Sequence, residues 1–520
     1  MTGTRAVGHG LIVAGVQLTA GELAAALRPG IRSPVTGLGR ALIDVTPGPA
    51  IDVTVALLEA RDKPLLMGVV LADFLGRGAA AGALAGRRPR LATGILLAQG
   101  LVAGGAAATR AESDAAASAL AGAGAGALGA GALALLGRRP AAALPVLAAA
   151  ILTGAAARRR TAARARELRD RREQVTLPGL ATAAPAGLDV PGLAPLITPN
   201  AGFYETDVTF PPPVLDASAW RLRVHGRVER ELSLSFEELL ALGAEELDAT
   251  LVCVHNPVGG PRIGTARWLG VPVRTLLDRA GVRPGADQLL ARSVDGFSSG
   301  VPLDLLAQDR PAIVAVGMNG EPLPFGHGYP ARLLVPGLYG YDANVKWLAE
   351  LELTTFAEAA DYWTRRGWPR EPAHVRPSAR IDVPAARARI APGPTTIAGV
   401  AWAPPHGVRG VEVCVDDGRW QPAALGVQLA PTAWRQWSVD ADLPPGERRI
   451  RVRTASQEDP RDDEPPFPHG AAGLHEIAVT AGAPSPAPRG AEARAILAQR
   501  ATLARSGLSA WARLGRQWPD

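Results

Sequence analysis

Cysteine is nearly absent from this chain of 520 residues. Its two cysteines, Cys253 and Cys414, lie far apart, so a disulfide framework, a zinc site with paired cysteines and an iron–sulfur cluster are all excluded. Lysine is as rare, with only Lys63 and Lys346, and arginine carries the net charge of +6. The basic residues are scattered or flank apolar runs, which favours membrane flanks over a nucleic-acid surface.

The first third of the chain is apolar and contains a single histidine, His9. A membrane haem held by two histidines is therefore excluded there. Asp73 is either functional or an ordinary carboxylate at a helix end or facing a helix bundle, and the scarcity of charge favours an anchor over a transporter. Apolar runs close to the ~20 residues that cross a bilayer occupy residues 10–27, 64–82, 91–109, 115–136 and 140–157. Because alanine is only marginally hydrophobic, four spans remain an alternative to five.

The arginines around these runs give conflicting indications of topology. Arginines at 87–90 and 138–139 place both loops on the cytoplasmic side, so five spans would send the rest of the chain out of the cytoplasm. The segment 158–175 is more basic than either loop and argues for the opposite side. Residues 138–139 either form an internal twin-arginine export signal or are a chance pair in an arginine-rich chain. We expect a multi-pass protein of the cell membrane with an extracytoplasmic catalytic domain.

The composition changes after the apolar third. We expect a basic stalk and linker over 158–194, then short β-rich runs and short helices over 195–375 that indicate an α+β domain. Residues 376–480 read as an all-β immunoglobulin-like sandwich. The tail, 481–520, contains an amphipathic stretch near 490–515 that either lies on a membrane or partner or is solvated.

The stretch from 250 to 268, TLVCVHNPVGGPRIGTARW, ends a short apolar run at Cys253 and continues into a glycine-rich turn. It predicts a buried strand that delivers a thiol to a loop. A core cysteine packed in a strand is the alternative, since free cysteine is among the most buried residue types.

Ordered landmarks surround this cysteine: NAGFYET, then TLVCVHN and GTARW, RSVDGF, VAVGMNGEPLP and HGYPARLLVPGLYGYDANVKWL. Together, over about 195–360, they resemble the oxidoreductase molybdopterin-binding domain of the sulfite oxidase superfamily. Residues 376–480 are similar to the dimerisation domain that follows it in sulfite oxidases. The resemblance implies one molybdenum, held by a pyranopterin dithiolene and by the thiolate of Cys253, which is the only protein ligand.

The resemblance also implies the residues that contact the cofactor. Arg332, His327 and Lys346 would pair with its phosphate and ring, and glycines at 328, 337 and 340 would allow close backbone approach. Taken singly, each residue also has an ordinary structural reading. The implied set is Asn200, Tyr204, Glu205, Cys253, Arg267, Ser293, His327, Arg332, Asn344 and Lys346.

Two departures from the family pattern concern the substrate. Sulfite oxidases carry an arginine just after the FY pair, where this chain has Glu205, and an aromatic–acidic pair where it has residues 316–317. A carboxylate in place of a cation would repel a sulfite dianion. Glu205 instead resembles the FYE pattern of the catalytic subunit of periplasmic protein-methionine-sulfoxide reductase, which works with a membrane haem partner. His255, two residues past the thiolate, is either a proton donor or a structural histidine.

We therefore expect a membrane-anchored, molybdopterin-dependent oxidoreductase with catalytic residues Cys253, Glu205 and His255. It would transfer an oxygen atom or two electrons to or from a small sulfur compound, in either direction. The expected partners are the lipid bilayer, a small-molecule substrate, an external electron carrier or haem subunit, and a second copy of the chain, with no nucleic acid. The alternative is a non-catalytic molybdopterin-binding or interaction protein that keeps the fold.

Overall fold

The computed structural model describes most of the chain as two compact units. The first unit contains Met1–Arg171 with two short segments, Val208–Pro213 and Val294–Gly296, and the second contains the remainder. The amphipathic stretch expected at 490–515 lies outside the described residues. The described ranges are 3–28, 31–46, 62–109, 114–178, 185–209, 211–307, 311–455 and 469–482.

The first unit is helical. Among the described residues, five helices are long and apolar enough to cross a membrane, and they match the five predicted apolar runs in number and position. A further described helix, Pro34–Val45, begins after the N-cap Ser33, whose side chain accepts from the backbone N–H of Thr36. It lies where the sequence indicated no span. The helices are α1 Gly3–Leu27, α2 Pro34–Val45, α3 Asp62–Leu84, α4 Pro89–Ala108, α5 Ala115–Arg138 and α6 Ala143–Glu173.

Helices α4 and α5 approach closely through glycine. A Cβ added at Gly100 would collide with the carbonyl oxygen of Gly122, and one added at Gly104 would lie 2.9 Å from the Cα of Gly122. Small residues allow this kind of backbone contact between apolar helices. The Asp73 carboxylate, 56% exposed, lies 2.9 Å from Arg77 on the same helix, so it faces away from the helix interfaces.

The first strands of the second unit form two sheets, one mixed and one antiparallel. One has the order β2-β1-β10-β5-β6, and the other has β3-β4-β7-β8 with β9 beside β7. All pairs are antiparallel except β1 with β10, which confirms the α+β prediction. Ser235 caps α7 in a capping box with Glu238, which satisfies backbone N–H groups at the helix start. The elements are β1 Arg221–Gly226, β2 Leu232–Ser235, α7 Phe236–Leu240, β3 Glu245–Val252, β4 Ile263–Pro272, α8 Val273–Ala280, β5 Gln288–Ser293, β6 Ser298–Pro302, α9 Leu303–Ala307, β7 Ile313–Met318, β8 Glu321–Pro322, β9 Arg332–Leu334 and β10 Leu348–Thr354.

Nine further strands form two more sheets, β11-β13-β17-β16 and β12-β19-β18-β14-β15. Side chains of both sheets share one buried core, as expected when two amphipathic sheets bury their apolar faces against each other. We call this pair of sheets the sandwich. Its strands are β11 Ser378–Val383, β12 Arg389–Ile390, β13 Gly393–Trp402, β14 Val411–Val415, β15 Gln421–Pro422, β16 Ala424–Gln428, β17 Arg435–Leu443, β18 Gly446–Thr454 and β19 His475–Ala481.

The loop before β17 ties the sandwich to strand β3. The indole of Trp434 donates to the carbonyl oxygen of Leu196 at 2.7 Å, and its backbone N–H donates to the hydroxyl of Thr250 at 2.7 Å. The backbone N–H of Thr250 in turn donates to the carbonyl oxygen of Thr432 at 3.0 Å. These buried bonds fix the strand that leads to Cys253 and the segment that leads to Asn200.

Candidate functional site

Cys253 is the first residue after β3, at the start of a loop that hydrogen bonds between residues 253 and 262 close. Its backbone N–H donates to the carbonyl oxygen of Arg262 at 3.0 Å, and its carbonyl oxygen accepts from Asn256 at 2.9 Å. The side-chain oxygen of Asn256 accepts from the backbone N–H of Arg262 at 2.7 Å, and Gly259 supplies a positive φ of 71°. Strand and loop therefore hold the thiol in one place, as the local sequence predicted.

The thiol of Cys253 is 5% exposed and faces a histidine. Its Sγ lies 3.9 Å from Nδ1 of His255. Burial acts to raise the pKa of Cys253, but the hydrogen bond and charge of His255, with the charge of Arg262, outweigh it and lower the pKa. Since the thiolate is the form that binds a metal, this environment suits a metal ligand.

Tyr204 lies between the cysteine strand and the cations described next. Its ring stacks on Phe203 at 5.5 Å between centroids, and Phe203 makes an edge contact with His327, also at 5.5 Å. A Cβ at Gly340 would approach the Tyr204 hydroxyl to 3.3 Å. Burial, then the charge of Cys253, raises the pKa of Tyr204 well above its ordinary value, so the phenol stays a neutral donor.

Two buried cations lie beside this tyrosine. Arg332, 3% exposed, donates to the carbonyl oxygen of His327 at 3.2 Å, and its Nε has no hydrogen-bond partner among the described residues. The Nζ of Lys346 donates to the carbonyl oxygen of Gly326 at 2.7 Å and lies 2.7 Å from the carboxylate of Asp207. We call Tyr204, Cys253, His327, Arg332 and Lys346 the central cluster.

Burial shifts the titration of these groups. It lowers the pKa of Arg332 to about 10, against the opposing effects of Tyr204 and Asp207, and it also lowers the pKa of Lys346. Burial, then the charges of Lys346 and Arg332, lowers the pKa of His327 to about 3. The His327 ring is therefore neutral, and its Nε2, 3.3 Å from a backbone carbonyl oxygen, carries the proton.

Glu205 lies at the exposed edge of the cluster. Its side chain is 50% exposed, and its Oε1 is 3.9 Å from Nε2 of His327. A Cβ at Gly326 would collide with the Glu205 carboxylate, so this glycine leaves the space that the carboxylate fills. The structure thus places one half-exposed negative charge beside two buried positive ones.

Asn200 uses its amide within the protein. Its Nδ2 donates to Glu321 at 2.6 Å and to the carbonyl oxygen of Met318 at 3.1 Å, and its Oδ1 accepts from Asn319 at 2.7 Å. Its own carbonyl oxygen accepts from His327. Asn200 therefore touches the cluster through its backbone.

Asn344 and Ser293 are both buried near Lys346. Asn344 is close to it in sequence, and Ser293 is close to it through the pairing of β5 with β10. Asn344, 4% exposed, donates to the carbonyl oxygen of Asp342 at 3.1 Å, and its Oδ1 has no partner among the described residues. Ser293, 3% exposed, ends β5 and pairs with Leu348 of β10. Both side chains are thus close in the fold to the segment that carries Lys346.

The described contacts do not bring Arg267 into the cluster. Successive side chains of a strand face opposite sides. Trp268 on β4 lies under Arg332, 5.1 Å from its guanidinium, and Arg267 instead pairs with Asp248 at 2.9 Å. Two contributors have no place in the sequence-based set: Asp207, the partner of Lys346, and Asn319, which holds Asn200. Only the MNG turn, where Asn319 has a φ of 52°, carries a local signal.

A protein-family model and several known proteins match this chain, and they indicate the same family. Residues 209–363 match the oxidoreductase molybdopterin binding domain. The uncharacterized oxidoreductase YuiH of Bacillus subtilis (strain 168) is 32% identical over 153 residues, which cover 29% of this chain and 74% of YuiH. The chain belongs to the sulfite oxidase superfamily of molybdopterin oxidoreductases. Mitochondrial sulfite oxidase of Mus musculus is 30% identical over 315 residues, 52% of this chain and 57% of that protein.

This member of the superfamily thus spans a little over half the length of the curated sulfite oxidases that it matches, 57% for the mouse protein. Among solved structures, the sulfane dehydrogenase SoxCD from Paracoccus pantotrophus matches with a TM-score of 0.46 and 25% identity, over 55% of this chain and 82% of that chain.

The cofactor of the superfamily is molybdenum-molybdopterin, and the described residues fit it. An anionic, hydrogen-bonding group needs buried donors and acceptors that the protein leaves unused, and Arg332 Nε and Asn344 Oδ1 are such atoms. A Cβ at Gly328, whose φ is 108°, would lie 3.0 Å from the Cα of Lys346 and 3.2 Å from Cβ of Arg332. The glycine therefore lets the two cations converge.

Proposed function

We propose that this chain is a membrane-anchored oxidoreductase that moves an oxygen atom or two electrons to or from a small sulfur compound. The observation that carries the proposal is the thiol of Cys253, buried at a strand end with a lowered pKa; its charge acts on Tyr204, which also feels the charge of the buried Arg332. Bound molybdenum-molybdopterin supplies the two-electron chemistry. In this proposal Cys253 is the metal ligand, and Arg332 and Lys346 hold the anionic part of the cofactor.

The remaining residues of the set have supporting roles in the proposal. Tyr204 and His327, both neutral, donate hydrogen bonds, while Asn344 and Ser293 line the same segment. Asn200 acts through its backbone contact with His327, and Arg267 acts from strand β4 through its ion pair with Asp248 of β3.

The substrate follows from the charge at the edge of the cluster. Glu205 is half-exposed, whereas both cations are buried, so an approaching substrate meets a carboxylate first. A sulfite dianion is repelled there, and an uncharged sulfur compound such as a sulfoxide is not. His255, with a ring nitrogen 3.9 Å from Sγ of Cys253, is the proposed proton donor.

The rest of the chain serves attachment and partnership in the proposal. The five apolar helices form a multi-pass anchor over 1–157, the catalytic domain covers 195–375 on the extracytoplasmic side, and the immunoglobulin-like sandwich over 376–480 pairs two copies. Electrons pass to or from an external carrier or a haem subunit in this proposal.

The test is metal analysis of the detergent-purified chain with dye-coupled assays on sulfite, run as an oxidation, and on a sulfoxide, run as a reduction. We expect about one molybdenum per chain and faster turnover of the sulfoxide. Bound molybdenum without turnover of either compound would favour the non-catalytic alternative. A reporter fused after residue 175 tests the topology: activity confined to the cytoplasm contradicts the extracytoplasmic placement.

A further inference from the structure

A buried carboxylate lies in the proposed cofactor site, although binding an anionic phosphate there requires only positively charged groups. The side chain of Asp207 is 7% exposed, and its Oδ1 lies 2.7 Å from Nζ of Lys346, which is 12% exposed. Lys346 also donates to the carbonyl oxygen of Gly326 at 2.7 Å. Two of the three ammonium hydrogens therefore have protein acceptors, and one of those acceptors is an anion.

The charges around this pair do not balance. Arg332 is 3% exposed and adds a second cation, whose charge acts on both Lys346 and Tyr204. Two buried cations with one buried carboxylate leave one positive charge in excess, and the half-exposed carboxylate of Glu205 offsets it only in part because water screens that charge. A buried charge without a counter-ion is costly, so removing Asp207 would leave two.

A phosphate brings about two negative charges, which match the two cations without any carboxylate. Once a phosphate is bound, Asp207 becomes the surplus charge, and its repulsion opposes the ligand. The backbone can accommodate its withdrawal, because residues 204–207 form neither helix nor strand.

We propose that Asp207 is a temporary counter-ion, which neutralises Lys346 while the site is empty and gives up this lysine to the phosphate of the cofactor on loading. The inference rests on the proposed function only in taking Lys346 and Arg332 as the phosphate site. It makes Asp207 a positioning residue that stabilises the empty protein and weakens anion binding.

The experiment uses the full chain, purified in detergent from a host that cannot make molybdopterin, with inorganic phosphate as the probe. Thermal unfolding and calorimetric titration are measured for the wild type and Asp207→Asn. We expect Asp207→Asn to unfold at a lower temperature in phosphate-free buffer and to bind phosphate about tenfold more tightly, a change of about 1.4 kcal/mol. Unchanged or weaker phosphate binding in this variant overturns the proposal.

Asp382→Asn is the matched control. The carboxylate of Asp382 lies 2.6 Å from Arg380, with side-chain exposures of 11% and 12%. The substitution therefore removes an ion pair of similar burial in the sandwich. We expect lower stability with no change in phosphate affinity. An equal gain in affinity in this control would overturn the assignment to Asp207.

A double variant covers the case in which Asp207→Asn does not fold. Asp207→Asn with Lys346→Met removes both charges of the pair, and replacing a whole buried pair costs less than breaking it. We expect it to be more stable than Asp207→Asn and to bind phosphate more weakly than the wild type. Failure to regain stability contradicts the counter-ion role. These readouts need no molybdenum, so their failure is distinct from an absence of turnover.

Discussion

The two cysteines have nearly the same burial and very different surroundings. Cys414 is 1% exposed and Cys253 is 5% exposed. Cys414 lies in the middle of β14, opposite Arg451 of β18, and its Sγ donates to the carbonyl oxygen of Gly418 at 3.3 Å. Cys253 lies where a strand has ended. Burial alone therefore does not separate a packed thiol from a metal ligand.

The charged neighbours of the two thiols separate them better. Near Cys414, Arg453 pairs with Glu412 at 2.8 Å, so the charges on this sheet face have protein partners. In the cluster that contains Cys253 and in the segment that carries Lys346, Arg332 Nε and Asn344 Oδ1 are buried without a hydrogen-bond partner among the described residues. Buried polar atoms that the protein leaves unused mark the place where a ligand completes the structure.

The largest expected effect comes from replacing each of the two cysteines in turn. Cys253→Ser removes the soft thiolate that the metal prefers, so bound molybdenum should fall at least about tenfold and turnover about a hundredfold. Cys414→Ser should leave both within about twofold of the wild type. Metal analysis and the dye-coupled assay measure both. Full metal content and activity in Cys253→Ser would refute the central assignment.

The second prediction compares two arginines. Arg332→Met removes a buried donor and should reduce retained cofactor about tenfold, because charge-assisted hydrogen bonds in a buried site contribute 1.5–3 kcal/mol each, roughly. Arg453→Met removes a half-exposed ion pair and should change stability by about 1 kcal/mol or less with cofactor content unchanged. Cofactor fluorescence after release measures the content, and equal losses in the two variants would contradict the distinction.

A third prediction concerns the edge of the cluster. Glu205→Gln removes a half-exposed negative charge, so the KM for sulfite should fall about fivefold, which corresponds to ~1 kcal/mol. The KM for an uncharged sulfoxide should stay unchanged, because it has no net charge to be repelled. Glu476→Gln, on the exposed part of β19, is the control. An equal fall for both substrates would point to altered shape instead of charge.

The smallest expected effect lies where the sandwich meets the cysteine loop. His475 accepts from the backbone N–H of Ile381 through Nδ1 at 2.9 Å, and its ring contacts Gly259. Burial, then the charge of Arg380, lowers the pKa of His475 to about 4. The unfolded chain binds the proton more readily, so the free energy of unfolding is highest above pH ~6.5 and falls as the pH drops towards 4.

Between pH 7 and 5.5 this histidine should lower the free energy of unfolding by about 1 kcal/mol. His475→Asn keeps an acceptor for Ile381 and removes the titration, so denaturant unfolding of this variant should show a correspondingly smaller change over the same interval. An identical pH dependence in the two proteins would exclude His475 as its source.

Features with a local pattern could be predicted from the sequence. Long apolar runs gave the five helices, and the apolar run before a glycine-rich turn gave the strand that ends at Cys253. Helix α2 lies between two such runs and is too short to be found as a span. The alternation of β4 indicates that Arg267 and Trp268 face opposite sides of the sheet, whereas the order of the family landmarks places Arg267 in the site.

Contacts between distant parts of the chain had no such pattern. Nothing near Asp207 indicates that it pairs with Lys346, and nothing near Leu196 indicates that Trp434, 238 residues away, donates to it. Such pairs depend on how whole sheets pack, which single-sequence periodicity does not report. The separate roles of the site residues therefore stay predictions until the variants are measured.

The bond from Trp434 to Leu196 has a consequence for the order in which the protein is made. A ribosome has synthesised the strand that carries Cys253 long before it reaches residue 434, yet one of the bonds that hold the segment before Asn200 comes from that later residue. Contacts between residues so far apart in sequence form late in folding. The segment before Asn200 therefore gains its full set of bonds only after the sandwich has folded.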